Sequence, residues 1–460
     1  MDLIIQNGTV INADCMFKAD IGIEHGKITI IAENLDMKAQ KTVDAEGLYI
    51  LPGAVDVHTH LELQVKSTMS ADSYHSGTRA AVCGGVTTVF DYPTQVKGKG
   101  IVETVEERRL MAEKTACCDY AFHCAITHLG EKNELLGEFK DAADYGVTSF
   151  KCYMTYRKEG LMVDDGVLFS ILEKTREHGI LTNVHAENHD IIEKLVNRYT
   201  VEGKTDPWHH YMSRPEFVEA EAVKRAIHIA IAANAPLYIV HLACKEGLDA
   251  VALSRFQGYP VYAETCPHYL AFTSDVYKRD NARNFVCSPT IKGAESRDAL
   301  WEGIRNGVID TVATDHCPFK QHEKDWGIYD FTKIPNGCAG IENRYPYMLS
   351  AANTGKITFC KAVEVCAEKP ALLFGCTDKG SIKIGKDADI VIYDPKKDFE
   401  ISVKNMHSDY DHTIWEGIRL KGYPVKTFLR GQLVYDEGKY TGKPGEGRYI
   451  KRASSGFPNI

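Results

Sequence analysis

A chain of 460 residues, 44% hydrophobic, with 37 glycines and 16 prolines, can bury one large core and a smaller one, which excludes a disordered chain. Its formal charge of −9 comes from intermingled acids and bases with no long basic block, which argues against nucleic acid as the main partner. No window reaches the apolar length of a membrane span, MDLIIQNGTVINAD lacks a basic leader, and the fourteen cysteines are scattered without a CxxC pair, so a cytoplasmic protein with reduced, mostly buried thiols is expected.

From residue 1 to about 50, DLIIQNGTVI, ADIGIEHGKITIIAE and KTVDAEGLYI are short alternating segments broken by NG, HG and EG turns, the pattern of β-hairpins. Apolar strand-like runs then alternate with longer segments of helical period such as DDGVLFSILEKTREHG. The runs are GAVDVH, VTTVF, YAFHCAI, VTSFK, ILTNVH, LYIVH and DTVATD. Strand and helix alternating in this way predict an α/β fold, a (β/α)8 barrel. Short strands return in GKDADIVIYDP, FEISV and VKTFLRGQLVYDEGKY. Each β-rich end is too short to bury a sheet alone, so the two are expected to meet as one β-sandwich domain. The expected division is 1–50 and 385–460 for that domain and 51–384 for the barrel.

Several of these runs finish in a polar residue. The first ends in His58 and His60, two residues apart and therefore on one face of a strand. The others end in Lys151, His185, His241 and Asp315. Two histidines alone are more often solvated or core side chains. Strand ends of a barrel converge on its C-terminal mouth, however, where active sites of that fold lie. Four imidazoles and a carboxylate suit zinc or a similar first-row ion and exceed what one ion needs. A lysine ammonium cannot bind a cation, but the neutral amine can add carbon dioxide to form a carbamate with two oxygens, which can bridge two ions. Two ions about 3.5–4 Å apart lower the pKa of a shared water. Cys152 and Cys317 flank the set and are read as packing, and His123, His128, His268 and His316 as structural or supporting residues.

In these residues, and in PGAVDVHTHLE, GTRAAVCGGVTTVFDY, SFKCYMTY, VHAEN, LYIVHLA, ETCPHYL, CSPTIK, VATDHCPF and IPNGCAGIE, the chain resembles the dihydropyrimidinase and hydantoinase branch of the cyclic amidohydrolases over nearly its whole length. The resemblance implies that His58, His60 and Asp315 bind one metal, that His185 and His241 bind the other, and that Lys151, as N6-carboxylysine, bridges them. The ions would be zinc, with manganese, cobalt or nickel as alternatives. Tyr156 would polarise the scissile carbonyl, and backbone groups at Ser288 and Asn336 would hold the ring. A metal-bridging hydroxide would attack the ring carbonyl, and Asp315 would carry its proton to the leaving nitrogen, giving an N-carbamoyl amino acid. A homotetramer is implied as well, with the C-terminal tail clasping a neighbour.

The chain also departs from that pattern. Dihydroorotase-like enzymes place an arginine two residues after HxH, where this chain has Glu62, so a carboxylate substrate is not expected. The loop after HxH reads Gln64, Val65, Lys66, Ser67 instead of a Pro-Phe-Gly-Gly type, and Arg157, Lys158 and Glu159 follow Tyr156, which makes the side-group pocket look charged. Allantoin is an alternative substrate, and a non-catalytic dihydropyrimidinase-related scaffold is an alternative role that the complete ligand set argues against.

Overall fold

The structure is a computed structural model that describes residues 1–65 and 67–454. Eight positions of parallel strand make the barrel: Ala54–Thr59, Val86–Asp91, Asp119–Phe122 continuing as Cys124–Ala125, Ser149–Tyr153, Leu181–His185, Leu237–Ile239, Val261–Thr265 and Thr311–Val312. Each pairs in parallel with its neighbour, and a bridge between Thr59 and His316 joins the last position to the first. Helices cover the outer face, so nearly every strand residue is buried on both sides. That double burial is why the runs read as continuous apolar stretches.

The floor of the barrel is packed solid. Val55, Val57, Phe90, Ala121, Leu181 and Tyr238 fill it together with Phe374, inserted from the segment beyond the last strand. His123 interrupts the third strand position, and its ring is spent inside the wall, with Nε2 on the Val57 carbonyl at 2.9 Å and Nδ1 on Ser149 Oγ at 2.5 Å. The C-terminal segment closes the same end of the barrel: Arg452 donates to Ser149 Oγ at 2.8 Å and to the Phe122 carbonyl at 2.5 Å. Up to Ser454 the tail therefore lies on its own barrel. Residues 455–460, for which clasping a neighbour is expected, lie outside the described residues.

The two chain ends meet as expected. A seven-stranded sheet runs in the order Lys439–Tyr440, Gln432–Asp436, Arg419–Leu429, Ile390–Glu400, Tyr49–Pro52, Thr9–Ile11, Met16–Lys18. A four-stranded sheet of Lys27–Ala32, Asp20–Glu24, Leu3–Gln6 and Lys41–Asp44 packs on it through Ile5, Ile21, Ile28, Ile50, Ile390 and Phe428. The chain passes from this sandwich into the barrel at Gly53, where any Cβ would lie 2.2 Å from Thr87 Oγ1. Only glycine lets the two strands approach so closely there.

Candidate active site

The candidate ligands arise from the barrel strands, though not all from their ends. His58 lies within the first strand and His60 follows it, while His185 closes the strand Leu181–His185. Lys151 is the third of five residues in Ser149–Tyr153, so the strand continues past it into CY, where only its end had been expected. His241 and Asp315 stand two and three residues beyond short strands. Both have left-handed backbones, with φ of 38° and 49°. Asp315 needs that conformation in the loop that turns back to pair His316 with Thr59.

The side chains converge closely. His60 Nε2 lies 3.1 Å and His58 Nε2 3.2 Å from Asp315 Oδ1, and Lys151 Nζ is 3.0 Å from His58 Nε2. The His241 ring packs 4.5 Å from that of His185 and 5.4 Å from that of His58, centroid to centroid. Burial, reinforced at His58 by Lys151 and at His241 by His185, holds both imidazoles well below their ordinary pKa. Burial alone would raise the Asp315 carboxyl, yet His58 and His60 keep it well below the usual carboxylate range. The result is a set of nitrogen and oxygen donors facing one another inside a protein, an arrangement that a cation stabilises.

Lys151 supplies the most telling observation. Its side chain is buried, and among the described residues no carboxylate forms an ion pair with it. Its neighbours are His58 and the faces of Tyr92 and Tyr153, at 4.4 and 5.0 Å from Nζ. Burial pushes the ammonium down to about 8 against the pull of Asp315 and Glu264. A buried lysine kept for structure would carry an acid partner or a set of carbonyl acceptors, and among the described residues Lys151 Nζ has only His58 Nε2 within hydrogen-bond distance. A lysine easily neutralised beside four imidazoles fits carboxylation, and the donor set fits two divalent ions.

The residues expected to meet a substrate also come together. Tyr156 and Ser288 lie close enough to interact, and Asn336 Nδ2 donates to Ser288 Oγ at 3.0 Å. The Tyr156 ring lies 5.2 Å from that of His185. Burial, with Glu187 nearby, pushes the Tyr156 phenol above its ordinary pKa, so it remains an O–H donor. The charged loop after Tyr156 behaves differently from its sequence. Arg157 pairs with Asp190 at 2.9 Å and Lys158 with Glu193 at 2.7 Å, both on the helix His189–Val201, so neither is an unpaired cation at the mouth. Gln64–Val65 and Thr68–Met69 form a small antiparallel hairpin beside the site, and Lys66, one of the residues that made this wall uncertain, lies outside the described residues.

Residues 49–434 match the model of the amidohydrolase family. The chain belongs to the amidohydrolase family. Within it, the chain is 42% identical to a D-hydantoinase of Ralstonia pickettii over 98% of its own length and 99% of the relative's. It is 40% identical to a D-phenylhydantoinase of Escherichia coli, covering 98% of both chains. A solved D-hydantoinase structure superposes with a TM-score of 0.96 at 40% identity, over 98% of this chain and 99% of the other. A dihydropyrimidinase from Brevibacillus agri does so with 0.97 at 36% identity, over the whole of both chains. These place the chain in the hydantoinase branch of the amidohydrolases.

Around the candidate ligands stand residues that no sequence motif singled out. Glu264, on the strand Val261–Thr265, takes His58 Nδ1 at 2.6 Å, the His241 N–H at 2.9 Å and the Tyr238 hydroxyl at 2.9 Å. It thereby fixes which His58 nitrogen faces Lys151 and Asp315. Glu187 does the same for His185, accepting from Nε2 at 2.9 Å. The available signal was an acid inside an apolar strand, VYAET, and another two residues after a ligand in HAE. His316 is a brace, as supposed: Nε2 meets Asp72 at 2.9 Å while Nδ1 accepts the Gly340 N–H at 3.0 Å. Glu264→Gln should weaken metal binding by about 10- to 100-fold through a misoriented His58. A competition titration against a chromophoric chelator reads this directly.

Proposed function

We propose that this chain is a cyclic amidohydrolase with two divalent ions. It opens the ring amide of hydantoins, 5-substituted ones included, and of dihydropyrimidines to give N-carbamoyl amino acids. The observation that carries the reading is Lys151, buried and, among the described residues, in no ion pair with an acid, beside His58, His60, His185, His241 and Asp315 in a chain that matches hydantoinases over 98% of its length. His58, His60 and Asp315 would hold one ion, His185 and His241 the other, and carboxylated Lys151 both. Zinc is the first choice, with manganese, cobalt or nickel as alternatives. When bound, the ions supply Lewis acidity and lower the pKa of a water.

The chain's own groups do the rest. Tyr156 O–H donates to the carbonyl oxygen as charge develops on it, an oxyanion contact worth several kcal/mol when preorganised. Backbone groups at Ser288 and Asn336 pair with the adjacent N–H and C=O of the ring and orient it. Asp315 takes the proton of the attacking water and delivers it to the ring nitrogen, because an amide anion leaves too poorly unprotonated. The ring C–N bond breaks as that proton arrives. The resemblance further supports a homotetramer working in the cytoplasm. Among the described residues no helix is long and apolar enough to cross a membrane.

Selectivity follows from what the mouth lacks. Glu62 stands where a carboxylate-binding arginine would be needed, and the nearby Arg108 is already spent on Asp91 at 2.8 Å and on the Leu61 and Glu62 carbonyls. Dihydroorotate would bring an unpaired carboxylate into a buried site and should be essentially inert. Hydantoin, 5-phenylhydantoin and dihydrouracil should all be hydrolysed, the phenyl group being accommodated beside Val65. Comparing kcat/KM across these four and allantoin tests the reading. A value for dihydroorotate equal to that for hydantoin would refute the assignment to ring ureides without a carboxylate.

A further inference from the structure

Ser288 and Asn336 lie on separate loops that follow different barrel strands, yet they must present backbone groups to one small ring. The spacing of the two loops therefore sets ring affinity, and something has to fix it. The Gly337 N–H donates to the Val286 carbonyl at 2.9 Å and Asn336 Nδ2 to Ser288 Oγ at 3.0 Å, which joins the loops directly. A further link is Lys324, a side chain 1% exposed. Its ammonium donates to the Val286 carbonyl at 3.2 Å, to the Pro335 carbonyl at 2.8 Å and to the Gly337 carbonyl at 2.7 Å. An ammonium has three N–H bonds, and here all three are used on the two ring-binding loops. Among the described residues no carboxylate forms an ion pair with it. The charge is thus met chiefly by carbonyl dipoles, with the Phe319 ring 5.6 Å from Nζ, which makes each bond strong and its direction demanding.

We propose that Lys324 is a positioning residue for substrate: a buried cationic clamp that sets the distance between the Ser288 and Asn336 loops and so governs recognition of the cyclic ureide ring. This rests on the proposed function for the identity of the ring, but the clamp itself is a property of the loops. Lys324 touches neither the candidate metal ligands nor the reacting atoms, so its loss acts on binding before chemistry. The short helix Gln321–Lys324 that carries it has other anchors. Glu323 accepts from the Lys320 N–H at 2.7 Å and from the Thr68 hydroxyl, and Gln321 bonds Asn284 at 3.0 and 3.1 Å. Removing the amine therefore leaves the helix in place.

The test uses the metal-loaded full chain with Lys324→Met and Lys324→Arg, the second retaining the charge in a fork that cannot meet three convergent carbonyls. For hydantoin and dihydrouracil, KM should rise roughly tenfold or more in both while kcat changes less than about threefold, the pattern of lost uniform binding. Bound metal should match the wild type. Independently of activity, protection of the Gly337 amide against hydrogen exchange should fall about tenfold or more. Should Lys324→Met not fold, Lys324→Arg decides. Unchanged KM and unchanged Gly337 protection would overturn the clamp, as would a loss of kcat accompanied by loss of metal. A wild-type enzyme inactive on every cyclic ureide refutes the proposed function instead, and the exchange measurement still decides the clamp.

Discussion

Lys151→Ala is expected to lose most of its bound metal and nearly all activity, on the order of 10³-fold or more, since the ions supply several kcal/mol of transition-state stabilisation. The argument is geometric. Nζ sits 3.0 Å from His58 Nε2 in a buried cluster of imidazoles and, among the described residues, forms no ion pair with an acid. A methyl group there leaves empty the space of the lysine side chain and of the carbamate proposed on it. Acetate or propionate should enter it and restore part of both metal content and turnover, a rescue that mere loss of packing does not produce. The amine, pushed down to about 8 by burial, is largely protonated at pH 6.5 and largely neutral at pH 9. Only the neutral form adds carbon dioxide, so reactivation of metal-free protein should require a carbon dioxide source and, at a fixed concentration of dissolved carbon dioxide, quicken as the pH rises through that range. Metal analysis together with initial rates checks each part. A variant with full metal and full activity would remove Lys151 from the site.

The sequence disclosed the barrel because strands buried on both faces must be apolar throughout, and runs such as VTTVF and LYIVH have no other reading between helical segments. It disclosed the candidate ligands because imidazoles and a carboxylate interrupt those runs at one end. It was less informative where partners are far apart in the chain. Glu264 meets His58 across 206 residues, and Lys324 meets Val286 across 38, contacts that no local pattern carries. The strand containing Lys151 was cut short because CY after it could equally begin a loop. Arg157 and Lys158 looked like pocket charges because nothing in the loop itself reveals Asp190 and Glu193 on the neighbouring helix. Local periodicity thus locates the elements and the mouth, while the residues that orient ligands and hold loops at a set distance emerge only when the sheet is closed.

Asp315, the proposed proton carrier, is the second residue whose replacement should be severe. Asp315→Asn preserves shape and leaves an amide oxygen near His58 and His60, but it removes the basic oxygen, so turnover should fall about 10²- to 10⁴-fold, the usual contribution of acid–base catalysis. His58 and His60 already keep this carboxyl ionised at neutral pH despite its burial, and it is therefore ready to accept a proton without prior titration. Its left-handed backbone, held by His316 paired to Thr59 behind it, leaves the carboxylate little freedom to swing away. Because ring recognition is assigned to Ser288 and Asn336 on other loops, KM should change far less than kcat. A good leaving group separates the two jobs of Asp315. With a substrate whose leaving nitrogen is acidic, protonation matters less, and the deficit of the Asn variant should shrink. An equal deficit for all substrates would assign Asp315 to metal holding alone, and wild-type turnover by the Asn variant would assign the proton to another group.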